Sequence, residues 1–186
     1  MKHWFVRSAL ILLIIILVFS NRTDADLSDQ ELVAGNFLTV ANLDINNQDS
    51  ANLQPKSSLF QISGLIPTGF QVESVRIRNE GTFTLEYLIQ PSQVSGGLLC
   101  SNLELTVLKN WQIIYQGALA DFSYSAQLDE NAYDDLVLSL ALNSNDNSLQ
   151  QSSCSFAFLV KSTLDLTTTP LYDEELLQNQ VISGTW

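Results

Sequence analysis

The sequence predicts an all-β protein: a two-sheet antiparallel sandwich of the jelly-roll or immunoglobulin-like kind, with an N-terminal signal helix before it and a short C-terminal helix after it. Three observations predict this class. Apolar residues recur at every second position in one run after another, the period of a strand with one buried face. Turn-forming clusters punctuate those runs at spacings of about 8–12 residues, as in two packed sheets. No internal repeat and no low-complexity linker divides the chain, so residues 26–168 read as one domain.

The first element is not part of the sandwich. Residues 9–19, ALILLIIILVF, form an unbroken apolar run behind Lys2 and Arg7. The run falls short of the roughly 20 residues that span a bilayer, and with its basic start it fits a secretory signal peptide. Thr23-Asp24-Ala25 offers a small-x-small site, so cleavage is expected after Ala25 and residues 1–25 form the signal. The alternative is an uncleaved anchor, with Trp4, Phe5 and Val6 lengthening the apolar stretch across Arg7.

Asp29-Gln30-Glu31-Leu32-Val33 reads as a short helix or an extended arm. The sandwich strands follow. Phe37, Thr39, Ala41 and Leu43 alternate with Leu38, Val40, Asn42 and Asp44. Further strands are expected at 58–63, at 75–78 (Val75 and Ile77 against Arg76 and Arg78) and at 82–87 (Phe83, Leu85 and Tyr87 against Thr82, Thr84 and Glu86). Leu103, Leu105 and Val107 mark the next, and 112–118 another. Leu136, Leu138, Leu140 and Leu142 mark a long strand, and Phe156, Phe158 and Val160 the last. Between them, residues 46–50, Pro67-Thr68-Gly69, Asn79-Glu80-Gly81, Ser95-Gly96-Gly97 and 143–147 carry turn residues. Thr169-Pro170, early acids and a terminal Gly184 predict a helical tail over 169–186, with Leu171, Leu176, Leu177 and Val181 as its apolar stripe.

Charge limits the partners. The chain carries 20 acidic and 8 basic residues, a net charge of −12. Removing residues 1–25 removes Lys2, Arg7, Arg22 and Asp24, three positive charges and one negative, and takes the net charge to −14. Such a surface repels nucleic acid and anionic lipid, so no nucleic-acid partner is expected, and membrane contact is expected only through the signal before cleavage. The two cysteines, Cys100 and Cys154, form an even count in an exported chain and read as one disulfide worth roughly 4 kcal/mol on the chain-entropy model. Two buried free thiols are the alternative.

Residue types also limit the chemistry. The single histidine, His3, lies inside the signal, which removes imidazole ligands, H-E-x-x-H helices and Ser-His-Asp triads from the mature chain. No G-x-S-x-G elbow is present. No enzyme, no catalytic residue and no cofactor are expected. Asp44-x-Asn46-x-x-Asp49 and Asp129-Glu130…Asp134-Asp135 are oxygen-rich, but neither matches a twelve-residue calcium loop; they read as solvated loop acids, and no metal site is expected.

The export signal followed at once by Leu27-Ser28-Asp29, and then by Gly35-Asn36-Phe37…Leu43-Asp44-Ile45, resembles the TasA/camelysin family of secreted surface proteins. Asn79-x-Gly81-Thr82…Tyr87 is similar to that family's strand-turn-strand element. Cys100-x-x-Leu103, Tyr115-x-Gly117-x-Leu119 and Cys154-x-Phe156-x-Phe158 are similar to its cysteine-bearing branch. Departures occur at Leu27, where many relatives carry an aromatic, at Ala41-Asn42, and after Pro67; the tail beyond Thr168 has no counterpart.

The resemblance implies a jelly-roll subunit of extracellular biofilm-matrix or cell-surface fibres. It also implies assembly by strand donation, in which the segment freed by signal cleavage adds to a sheet of the next subunit. Leu27, Leu32, Val33 and Phe37 would be the anchors of that strand. The implied partners are further copies of the chain in a head-to-tail homopolymer, signal peptidase, and an accessory matrix protein where one exists. Camelysins are classed as metalloproteases, a reading the missing histidine argues against. The competing expectation is a monomeric, surface-anchored binding or adhesion module.

Overall fold

The computed structural model describes residues 45–164 and 171–186. Within them the order is β1 (Ile45–Gln48), β2 (Ser58–Leu65), β3 (Phe70–Asn79), β4 (Leu85–Ser95), a short helix α1 (Gly97–Ser101), β5 (Leu103–Lys109), β6 (Gln112–Ala118), β7 (Tyr124–Leu128), β8 (Tyr133–Leu142), β9 (Ser153–Leu164) and β10 (Leu171–Ser183). Short 3-10 turns sit at Leu119–Asp121 and Asn147–Leu149.

The strands form two five-stranded sheets, β1-β3-β8-β5-β6 and β2-β10-β9-β4-β7, and the expected all-β sandwich is present. Alternation explains the core. Along β8, Leu136, Leu138, Leu140 and Leu142 are fully buried while Val137, Ser139 and Ala141 face outward. Leu105 and Val107 of β5 and Val75 and Ile77 of β3 lie in the same buried layer. Phe156, Phe158 and Val160 of β9 and Tyr87 and Ile89 of β4 supply the facing sheet. Phe158 meets Phe156 and Phe122 edge-on, at centroid distances of 5.3 and 6.0 Å. Each fully buried aliphatic or aromatic side chain contributes about 1.5–3 kcal/mol of transfer free energy.

Three sequence expectations change. The tail does not form a helix. From Leu171 opposite Leu164 to Ile182 opposite Ser153 it is a strand in register with β9. Leu177, Asn179, Val181 and Ser183 are buried, and Leu176, Gln178, Gln180 and Ile182 are exposed, a period of two. The cap signals at Thr169-Pro170 are local, and pairing along the whole of β9 outweighs them. Second, the sheets are antiparallel except where β10 runs parallel to β2, with Gln178 opposite Ser58 and Val181 opposite Ile62. Third, residues 46–50 are not wholly a turn, because Ile45–Gln48 pairs with β3 before the chain reverses. The expected signal helix lies outside the described residues, as do the strand at 37–44 and the segment 29–33.

Cys100 on α1 and Cys154 on β9 are bonded, with Cα atoms 5.2 Å apart, so the expected disulfide is present. It fastens the crossing between β4 and β5 to the second sheet. Gly96 makes that approach possible. Its φ of 137° is open to glycine but rarely to other residues, and a Cβ there would collide with the Ser153 carbonyl and the Cys154 backbone.

Candidate functional site

The candidate site is a sheet edge. β3 is paired with β8 from Phe70, opposite Ala141, to Arg78, opposite Tyr133. On its other side β1 covers only Arg76–Asn79. Among the described residues, no strand pairs with residues 70–75 on that side, a stretch of roughly 20 Å. Phe70 and Val72, at 67% and 50% exposure, flank it. Lys56 partly guards it. Its Nζ donates to the Ser74 carbonyl at 3.0 Å and to Glu73 at 3.1 Å. A lysine laid across an edge is a usual defence against indiscriminate pairing.

Three buried asparagines behave differently. Asn179, 4% exposed, accepts from the Leu59 and Phe60 amides through Oδ1 and donates to the Leu177 carbonyl through Nδ2. It thereby satisfies backbone groups at the register shift between β10 and β2. Asn79 is fully buried. Its Nδ2 donates to the Phe83, Leu128 and Asp129 carbonyls, and its Oδ1 accepts from the Gly81 amide. Asn47 of β1 is 2% exposed, yet among the described residues neither Oδ1 nor Nδ2 has a hydrogen-bond partner. Asn47 lines a cleft of about 370 Å³ together with Ile45, Pro55, Lys56, Ser57 and Glu175. A buried carboxamide with unpaired atoms carries a desolvation cost of about 1–3 kcal/mol.

A second polar cluster lies inside the sandwich. The Tyr87 hydroxyl donates to Asp134 Oδ2 at 2.7 Å. Lys109 Nζ donates to the same oxygen at 2.6 Å and to the Tyr124 hydroxyl at 3.2 Å. Burial pushes the Tyr87 phenol well above its ordinary range, and the bond to Asp134 adds to the effect. For Lys109, burial works downward, but the bonds to Asp134 and Tyr124 outweigh it and the ammonium is held above its usual value. The cluster joins β4, β5, β7 and β8. Its bonds fix four strands together.

The oxygen-rich loops do not converge. Asp135 holds Arg76 through two bonds of 2.7 and 2.8 Å, Asp134 is paired to Lys109, and Asp129 accepts from the Thr84 hydroxyl. Among the described residues, no three His, Cys, Asp or Glu side chains are placed to hold a metal ion. Asp44 lies outside the described residues, as do the expected cleavage residue Ala25 and the expected anchors Leu27, Leu32, Val33 and Phe37. Sequence reasoning missed Asn47, the gap along β3 and the Tyr87 cluster. The gap had no signal of its own, because residues 46–50 look like a turn and hide the shortness of β1.

No protein-family model matches the chain, and no curated protein matches it. Among solved structures it is similar to the CFA/I adhesin CfaE of enterotoxigenic E. coli, at 12% identity over 78% of this chain and 49% of that one, with a TM-score of 0.46. It is similar to the CooA pilin subunit of enterotoxigenic E. coli, at 10% identity over 75% of this chain and 97% of that one, with a TM-score of 0.37. It is also similar to a family 123 glycoside hydrolase of Clostridium perfringens, at 6% identity over 77% of this chain and 28% of that one, with a TM-score of 0.45.

Proposed function

We propose that this chain is an exported structural subunit that builds cell-surface or matrix fibres by donating its N-terminal segment, Asp26 to Asn36, to a neighbouring copy. The observation that carries the reading is the edge of β3 at residues 70–75, which no strand among the described residues covers. An unpaired edge offers a row of backbone donors and acceptors, which an extended segment satisfies by strand addition. The direction of β1 favours a neighbour as the donor. Ile45 lies opposite Asn79 and Gln48 opposite Arg76, so the chain enters β1 at the Asn79 end of β3. The open stretch lies at the other end. A segment upstream of Ile45 reaches its own gap only by reversing direction, whereas it reaches another copy directly. Such a contact is head-to-tail and need not close, so it produces filaments.

The resemblance to secreted TasA/camelysin fibre proteins supports the same reading. The disulfide suits an oxidising compartment, and the signal, cut after Ala25, would free Asp26 only after export. Before cleavage the tether to the membrane hinders donation. Leu27, Leu32, Val33 and Phe37 are the side chains proposed to set register. Self is the principal partner, and no catalytic role is proposed.

The test is to remove Asp26–Val33 and image the protein by negative-stain electron microscopy. The expected result is loss of filaments from a protein that keeps its β circular dichroism and stays soluble. A truncated protein that polymerises as before would show that another surface drives assembly.

A further inference from the structure

The outer face of the β1-β3-β8-β5-β6 sheet carries a feature that strand donation does not use. The β5–β6 hairpin turns through two residues, Asn110 and Trp111, closed by Lys109 opposite Gln112. Both have positive φ, 51° and 64°. Asparagine suits the first position of such a turn, and the second ordinarily goes to glycine. A tryptophan there is strained, because its Cβ crowds the backbone. It gains nothing from packing in return, since Trp111 is 92% exposed. A large aromatic held in a costly conformation and presented to solvent is a recognition group by its physics.

The surface behind Trp111 indicates what it recognises. A shallow depression there is lined by Leu108, Asn110, Asp135 and Val137. Asp135 is fixed and neutralised by its two bonds to Arg76, whose guanidinium lies 3.8 Å from the centre of the Tyr133 ring. The depression is therefore locally charge-balanced on a chain of net charge −12. Further along the same face polar and apolar side chains are mixed, with Val72 opposite Ser139 and both Phe70 and Glu104 opposite Ala141. Leu108 and Val137 are paired, then Thr106 with Ser139, and Thr106 also with Gln116 on β6. Thr106, Gln116, Ser139 and the carboxylate of Glu104 line a second depression that reaches Phe70 and Ala141. From Val137 to Ala141 the face runs about 13 Å.

A lipid surface would ask for continuous apolar contact, and an anionic polymer would be repelled. A stacking plane followed by hydroxyl, amide and carboxylate groups set among apolar side chains matches a molecule with apolar C–H faces and hydroxyl edges. We propose that this face binds a neutral polysaccharide, with a sugar ring stacked on Trp111 and the following units laid over the row of Thr106, Ser139 and Gln116.

The test is affinity electrophoresis of the purified chain in native gels cast with soluble β-glucan, mannan or galactan, beside gels cast with anionic alginate. Retardation is expected in at least one neutral gel and not in alginate. Trp111→Ala should need about tenfold more polysaccharide for the same retardation. Tyr172→Ala, which removes an aromatic 66% exposed on the other sheet, should migrate like the parent. Trp111→Gly should lose retardation while keeping or raising the thermal midpoint, which separates loss of binding from loss of folding. The proposal is overturned if no neutral gel retards the chain, if alginate alone does, or if Trp111→Ala is retarded as before. It is also overturned if Trp111→Ala instead lowers self-association in sedimentation, which would make this face a contact between copies.

Discussion

Asn47, Asn79 and Asn179 are one side chain in three circumstances, and the difference is measurable. Asn179 holds two amides and a carbonyl at the β10–β2 register shift, and these lose their partners if the carboxamide is removed. Asn179→Ala should therefore cost about 2–4 kcal/mol in urea denaturation of the monomer. Asn47 holds nothing among the described residues. Asn47→Leu keeps similar volume, removes two desolvated polar atoms, and should stabilise the monomer by about 1 kcal/mol. A destabilised Asn47→Leu monomer would mean that the carboxamide does satisfy a group inside its own subunit. The sequence gives no means of telling these residues apart. All three sit in polar stretches, and only the burial and neighbours of each decide its role.

Among elements, β10 shows how far sequence patterns carry. The strands with strong alternation, 75–78, 103–107, 136–142 and 156–160, were legible because every second residue is a large apolar side chain. β7 was not, because Tyr124, Ala126 and Leu128 alternate over too few residues to stand out. β10 was misread because Leu171, Leu176, Leu177 and Val181 fit a helical stripe as well as a strand, and the local cap residues favoured the helix. The two readings separate at neighbouring residues. A helical stripe buries Leu176 and Leu177 together, whereas the strand buries Leu177 fully and leaves Leu176 37% exposed. Leu177→Ala should cost about 2–5 kcal/mol, and Leu176→Ala less than about 1 kcal/mol, in the midpoint of denaturant unfolding. Equal costs at the two positions would contradict the strand register. The candidate edge was illegible for a related reason: an absent strand partner leaves no periodicity, and β1 is too short to show one.

For the whole molecule the governing quantity is charge. Between two copies, a net charge of −12, or −14 without residues 1–25, acts against any contact, while strand addition gains backbone hydrogen bonds and apolar burial that salt does not screen. The two contributions respond oppositely to conditions. Raising ionic strength from about 0.01 to 0.1 M shortens the Debye length from roughly 30 to 10 Å and removes most of the repulsion between surfaces. Lowering pH toward the ordinary carboxylate range near 4 removes the negative charges themselves. If strand donation drives assembly, filaments should form faster and at lower protein concentration in added salt and at mildly acid pH. The measurement is light scattering against salt concentration at fixed pH, and then against pH at fixed salt. Were the contact built instead from ion pairs between copies, added salt would weaken it, and the scattering curve would slope the other way. The sign of the salt dependence therefore distinguishes a backbone-paired fibre from an electrostatically matched one.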